Sequence, residues 1–377
     1  MPGPVLLLTR NFPPLWGGME RLNHRLAGEL AQHTAVRVIA PGGAAAHAPP
    51  GVTVREVAGH PLARFLMAAF AAALQEARAG AYDWVLAGSG LTAPMALAAA
   101  KAANAKAAAY VHGLDLAVRH PLYRALWLPA IRRLDRVIVN SRATADLAQE
   151  VGVAAERIAI VHPGVELPTA TPEERARLRA SFREQHGLGE RPVLLTVGRL
   201  TTRKGVAPFV AEVLPQIVRV QPDVCLLVVG DVPRGALAAT AEPPATILRA
   251  AEQANVGNYV RWLGPRFGSD LSAAFFAADV HVFPVRDLPG DPEGFGMVAV
   301  EAASHGLPTV AYATGGVVDA VADGLSGRLV APGDATGFAQ AVLDMLSNPP
   351  REEALTAYAA RFAWPHFGAA VWQALQG

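Results

Sequence analysis

Two glutamates eight positions apart frame a glycine-rich turn in this chain: Asp291-Pro292-Glu293-Gly294-Phe295-Gly296-Met297 runs on to Glu301. Backbone N–H groups at Gly296 and Met297, placed where a helix begins, have no partner within the helix and lie at the positive end of its dipole, so they suit a diphosphate. A carboxylate beside that anion is repulsive unless hydroxyl donors stand between them. The natural occupants are therefore polyols, a hexose and a ribose, and the combination suits a sugar nucleotide. An ordinary loop glutamate and a solvated helix glutamate would read the same way, and this segment by itself leaves both open.

The elements needed to hold these groups are legible on either side. Ala278–Pro284 reads as a strand ending in proline, and Val298–His305 as a short apolar helix closed by Gly306, which puts Glu293 in a loop and Glu301 on a helix. Other candidates follow strands in the same manner. After Val193–Val197 comes Gly198-Arg199-Leu-Thr-Thr-Arg203-Lys204-Gly205, where Arg199 and Lys204 could reach a diphosphate, the arginine by its fork and the lysine as a point charge; an ordinary basic turn is the alternative. Only Lys101, Lys106 and Lys204 are lysines among 33 basic residues, which singles out Lys204. His112-Gly113-Leu114-Asp115 follows Ala107–Val111 and could hydrogen-bond a substrate hydroxyl, or be structural. The loop Asn11-Phe-Pro-Pro-Leu-Trp16-Gly17-Gly18 follows Val5–Leu8, and Gly315-Gly316 follows Pro308–Ala311; a double glycine admits close approach of backbone to phosphate or sugar.

Apolar runs alternate with helical patterns at Val5–Leu8, Val36–Ala40, Trp84–Ala87, Ala107–Val111 and Arg136–Val139. The pattern breaks at Val161-His-Pro-Gly-Val165 and restarts with Val193–Val197, Val224–Val229, Val260–Leu263, Val280–Phe283 and Pro308–Ala311. This predicts an α/β chain of two doubly wound, Rossmann-like domains, 1–165 and 166–360, facing a cleft, with a helix at about 361–377 packing back across the junction.

Composition narrows the classes. With 377 residues, 52% hydrophobic and 17% charged, the chain can bury a sizeable core. A net charge of +1 argues against a general nucleic-acid binder. The single cysteine, Cys225, sits in an apolar run, reads as a buried strand thiol and favours a cytosolic setting. No signal peptide precedes Val5–Leu8, and no apolar run reaches the about eighteen residues of a membrane span. There is no Asp-x-Asp pair and no zinc spacing, so no metal is expected; Gly-x-Ser-x-Gly, P-loop and Gly-x-Gly-x-x-Gly signatures are also absent from the sequence.

Taken in order, Gly17-Gly18, His112-Gly113, Gly198-Arg199 with Lys204-Gly205, Glu293 with Glu301, Gly315-Gly316 and a terminal tryptophan helix resemble the retaining glycosyltransferases of family 4, which have the GT-B fold. The resemblance covers nearly the whole chain. It implies that Arg199 and Lys204 hold the donor diphosphate, that Glu293 binds sugar hydroxyls and Glu301 the ribose, and that the backbone from Gly294 and Phe295 through Gly296, Met297 and Val298 lies near sugar and phosphate. It implies further that His112 contacts the transferred sugar, that Gly17 and Gly18 approach the β-phosphate, that Gly198 opens the diphosphate loop, and that the loop Gly264-Pro-Arg266-Phe267 meets the base. The donor would be a GDP-sugar or a UDP-sugar with no cofactor, and the acceptor a glycan or lipid-linked molecule of the cell envelope. Family members retain configuration without paired glycosidase carboxylates, by front-face attack assisted by the departing phosphate. Where the family often has Pro-Glu after the second double glycine, this chain has Val318-Asp319. Arg286 and Asn11-Phe-Pro-Pro look most like the GDP-mannose-dependent, lipid-modifying mannosyltransferases.

Different classes stay open at this stage: a catalytically silent sugar-nucleotide-binding subunit, or a GT-B-like epimerase. A phosphorylase needs a cofactor lysine, whereas Lys101 and Lys106 lie in an Ala-rich helical stretch and Lys204 is assigned. Arg119 to Arg133 mixes arginines with Leu122, Tyr123, Leu126 and Trp127 at helical spacing, either a peripheral contact with the inner face of the cell membrane or a surface helix packed on the core; Leu62–Met67 is a second such segment.

Overall fold

The structure, a computed structural model, describes residues 3–15, 17–232 and 240–377; Trp16 of the first glycine loop lies outside the described residues. The chain forms two compact units, residues 1–164 with 364–377, and residues 165–363.

The first unit is built on β1 (Val5–Leu8), β2 (Val36–Pro41), β3 (Val52–Val57), β4 (Trp84–Ala87), β5 (Lys106–Val111), β6 (Arg136–Val139) and β7 (Ile158–Ile160). They pair in parallel in the order β3-β2-β1-β4-β5-β6-β7. Val5 lies opposite Val36 on one side and Trp84 on the other, so β1 is the strand at which the order reverses. Covered on both faces, central strands of such a sheet need continuous apolar sequence, and β1 and β4 are buried throughout. Right-handed crossovers put the helices Leu62–Ala79, Ala93–Ala103 and Pro121–Ile131 in one layer and Gly18–Ala31 in the other. The helix Trp364–Gln376 packs on Gly18–Ala31, with Trp372 stacked on His33 at 5.2 Å.

The second unit carries β8 (Val193–Val197), β9 (Cys225–Val229), β10 (Val260–Gly264), β11 (Val280–Phe283), β12 (Thr309–Tyr312) and β13 (Gly327–Val330), in the parallel order β10-β9-β8-β11-β12-β13. This is the doubly wound order, and its reversal between β8 and β11 opens a crevice at their carboxyl ends, where ligands bind in such sheets. The opposite ends are pinned: Asp279 accepts from Val193 N at 2.8 Å and pairs with Arg179 at 2.7 Å, fixing β8 beside β11.

Three strands were not evident in sequence: β3, β7 and β13, all at sheet edges. An edge strand is only half-covered, so its apolar signal is diluted, as in Val-Thr-Val-Arg-Glu-Val of β3. The helix read from Val298 begins at Met297 and ends at Ser304, before His305. Lys106 opens β5 and does not share the helix of Lys101, because left-handed Asn104 (φ 54°) ends that helix. Cys225 is a buried free thiol.

Candidate functional site

Two loops meet at the carboxyl ends of β8 and β11. The loop after β8 leaves through Gly198 (φ 146°), passes exposed Arg199, makes one tight turn over Thr202–Lys204 and reaches Gly205 (φ 68°). A Cβ at Gly205 would run into the carbonyl of Pro284, so only glycine lets this turn press on the chain leaving β11. Arg286 N donates to Arg203 O at 2.8 Å and closes the junction.

The charged groups lock together there. Lys204 Nζ donates to Glu293 Oε2 at 2.7 Å and lies 4.5 Å above the Phe283 ring. Arg203, whose side chain is 9% exposed, donates through Nε to Asp291 Oδ1 at 3.1 Å and through its terminal nitrogen to the same Glu293 Oε2. Burial pushes the Glu293 carboxyl up, but Lys204 and then Arg203 outweigh it and hold it down at about 2. Burial lowers the Lys204 ammonium to about 8; Glu293 opposes the drop, while Arg203 and Arg199 add to it.

A third loop supports the glutamate from below. Gly316 N donates to Glu293 O at 2.8 Å, and a Cβ on Gly315 (φ 48°) would stand 2.6 Å from that oxygen. The second double glycine therefore seats the backbone of Glu293 and Gly294. Gly296 (φ 94°) turns the chain into Met297–Ser304, and no side chain caps that helix. Its leading amides are offered at the same end of the sheet, next to half-buried Met297 and Val298 and one turn before half-buried Glu301. The Phe295 side chain is core, 2% exposed, so only its backbone faces the loop. Arg266, after β10, is half-buried, and its Nε lacks a partner among the described residues.

His112, Gly17 and Gly18 belong to the first unit. His112 follows β5, just before the short helix Gly113–Ala117, and donates from its backbone to Asp115 Oδ2 at 2.9 Å. Thr144 Oγ1 donates to Asn140 Oδ1 at 2.7 Å, which turns the Asn140 amide nitrogen toward His112 Nδ1 at 3.5 Å. With Nδ1 accepting, the ring proton sits on Nε2, a buried donor without a partner among the described residues. Burial lowers the His112 pKa, with Asp115 and Glu20 opposing, so the ring is neutral at pH 7. Gly17 precedes the first helix with the Glu20 carboxylate against it, held by Asn11 Nδ2 at 2.6 Å; nothing lies within 4 Å of where a Gly18 Cβ would stand.

Sequence reasoning missed Arg203, Asp291 and Asn140 as parts of these arrangements. The available signal for Arg203 was the spacing Asp291-x-Glu293, two carboxylates for one buried guanidinium. Among the described residues, no group of three His, Cys, Asp or Glu side chains could hold a metal ion.

Residues 191–348 match the family described as glycosyl transferases group 1, and residues 16–168 match glycosyltransferase family 4. The chain is 31% identical over 367 residues to the GDP-mannose-dependent alpha-(1-6)-phosphatidylinositol monomannoside mannosyltransferase of Mycolicibacterium smegmatis, covering 93% of this chain and 91% of that one. It is 35% identical over 236 residues to the D-inositol 3-phosphate glycosyltransferase of the same organism, covering 62% and 50%. Anabaena HepE, solved with UDP-glucose, superimposes with a TM-score of 0.78 at 22% identity over 99% of both chains, and shows the shared GT-B fold. With two family descriptions matched along its length and a mannosyltransferase relative spanning nearly all of it, the chain belongs to glycosyltransferase family 4 and is a glycosyltransferase.

Proposed function

We propose that this glycosyltransferase moves mannose from GDP-mannose, with retention of configuration, to a lipid-linked or glycan acceptor of the cell envelope. The observation that carries the reading is the convergence of Lys204, Arg203 and Glu293 beside exposed Arg199 and an uncapped helix start, at the one end of the second sheet where a nucleotide would lie. Arg199 and Lys204 take the diphosphate and stabilise it as it leaves; Glu293 accepts from sugar hydroxyls, and Glu301 from the ribose. The amides from Gly294 to Val298 line the sugar and phosphate, and Arg266 stands near the base. His112 offers its Nε2 proton to the transferred sugar, and Gly17 and Gly18 approach the β-phosphate. Positioning and charge stabilisation supply the catalysis, and the phosphate oxygen being released takes the acceptor proton. No metal or cofactor enters this reading.

GDP-mannose is favoured by the relative that spans nearly the whole chain and carries that donor in its name. A UDP-sugar is the second reading, supported by the UDP-glucose complex of the HepE neighbour. A lipid-linked acceptor fits the outer helical layer of the first unit. Met67, Phe70, Leu122 and Leu126 are exposed there, among exposed Arg64, Lys101, Arg119 and Arg124. Of the three acidic residues between 62 and 131, Glu76 is buried, Asp115 half-buried and Asp83 exposed in the loop that leads into β4. Such a face suits the surface of an anionic bilayer on the inner side of the membrane. No helix among the described residues is long and apolar enough to cross one.

Incubating the protein with GDP-mannose or UDP-glucose, with and without a phosphatidylinositol mannoside acceptor, tests the reading. Acceptor-dependent release of GDP and an α-linked mannosyl product by NMR are expected. Turnover with UDP-glucose alone would move the donor to the second reading, and no turnover with either donor would contradict the proposal.

A further inference from the structure

We propose that Arg203 is a positioning residue that keeps the Glu293 carboxylate in place for the sugar when Lys204 turns from it to the donor diphosphate. The inference rests on the reading of Glu293 and Lys204 given above.

Both cations converge on a single oxygen, Glu293 Oε2, and among the described residues Oε1 has no hydrogen-bond partner. One carboxylate oxygen is thus fixed and the other left to accept a hydroxyl. The two cations differ in how far they can move. Lysine is a point charge on a flexible stem and can follow an incoming anion. Arg203 cannot: its fork spans Asp291 and Glu293, its carbonyl accepts from Arg286 N at 2.8 Å, and the next-but-one residue, Gly205, is pressed against Pro284. When the diphosphate draws Lys204 away, Arg203 alone still neutralises and aims Glu293. Without it, Lys204 would be the only counter-charge on that carboxylate and would be contested between glutamate and phosphate. Asp291 is the outer anchor that stops the guanidinium from following Lys204.

The test is calorimetric titration of GDP and of GDP-mannose into the full chain and into Arg203→Gln, Asp291→Ala and Glu293→Gln, reading how much tighter the sugar nucleotide binds than GDP. UDP and UDP-glucose replace them if the wild type prefers uridine. Circular dichroism melts establish which variants are folded. Arg203→Gln is expected to keep GDP binding within about threefold while the advantage of the sugar falls about tenfold or more, the range for losing a hydrogen bond to a charged acceptor. Asp291→Ala, at a partly exposed side chain, should shift the advantage in the same direction, and it decides the matter if Arg203→Gln does not fold. A merely structural arginine would weaken both ligands equally. The proposal is overturned if the Arg203 and Asp291 variants keep the wild-type advantage while Glu293→Gln loses it. If Glu293→Gln itself keeps the advantage, the role of Glu293 in sugar binding is wrong, and the clamp has no purpose.

Discussion

Lys204 Nζ and Glu293 Oε2 are 2.7 Å apart across 89 residues of chain, so the loop after β8 and the loop after β11 are held to each other by opposite charges. Removing the two partners has unequal consequences. In Lys204→Ala, Arg203 still neutralises Glu293 and the fold is retained. In Glu293→Ala, two buried cations are left against Asp291 alone, a loss of about 3–5 kcal/mol of the kind seen when one member of a buried ion pair is deleted. Thermal melts should therefore place Glu293→Ala well below Lys204→Ala, and equal melting temperatures would show the network to be solvated.

Backbone geometry makes an independent prediction. Gly205→Ala combines a left-handed φ of 68° with a Cβ driven into Pro284 O, and a left-handed non-glycine residue alone costs about 1–3 kcal/mol. Gly18→Ala meets nothing within 4 Å and should alter stability by less than about 0.5 kcal/mol. Denaturant titrations of the pair measure the contrast.

Donor binding and stability respond to pH with opposite sign at Lys204, while the stability contributions of Lys204 and Glu293 share one sign. Lys204 loses its proton above about 8, so donor binding should weaken as pH rises through that value. The same depression means that the unfolded chain holds the lysine proton more tightly, so this group adds stability between about 8 and the ordinary lysine range. Glu293 is depressed to about 2, so its contribution is complete above the ordinary glutamate range and is lost as pH falls toward 2. Donor affinity that is flat from pH 7 to 9.5 would remove Lys204 from the diphosphate.

His112 should exist as the Nε2–H tautomer, because Asn140 points its amide nitrogen at Nδ1. Long-range nitrogen NMR on the labelled histidine reads this directly. Asn140→Ala should give a mixture of tautomers and slow transfer with little change in GDP affinity.

At the outer helical layer, Leu122→Glu with Leu126→Glu should abolish co-sedimentation with vesicles containing phosphatidylinositol and leave binding of GDP unchanged. Unchanged co-sedimentation would exclude this face.

The central strands were legible because burial on both sides demands unbroken apolar runs, as in Val193–Val197 and Val280–Phe283. The turns at Gly205, Gly296 and Gly315 were legible because few residues other than glycine adopt their positive φ, and Glu293 stands, as read, in the loop between β11 and the helix that starts at Met297. What sequence hid was pairing. Arg203 stands beside Lys204 and looks like one more charge in a basic turn until Asp291 and Glu293, far along the chain, are brought under it. Asn140 likewise is one polar residue after β6, and only the fold sets it beside His112.

The most direct measurement is calorimetric titration of GDP-mannose into the wild-type protein and into Lys204→Ala. The account predicts saturable binding to the wild type and at least about tenfold weaker binding to the folded variant, the loss expected when a charge-assisted contact to phosphate is removed. Equal affinity of the two proteins for GDP-mannose would contradict the assignment of the donor site to the loops after β8 and β11.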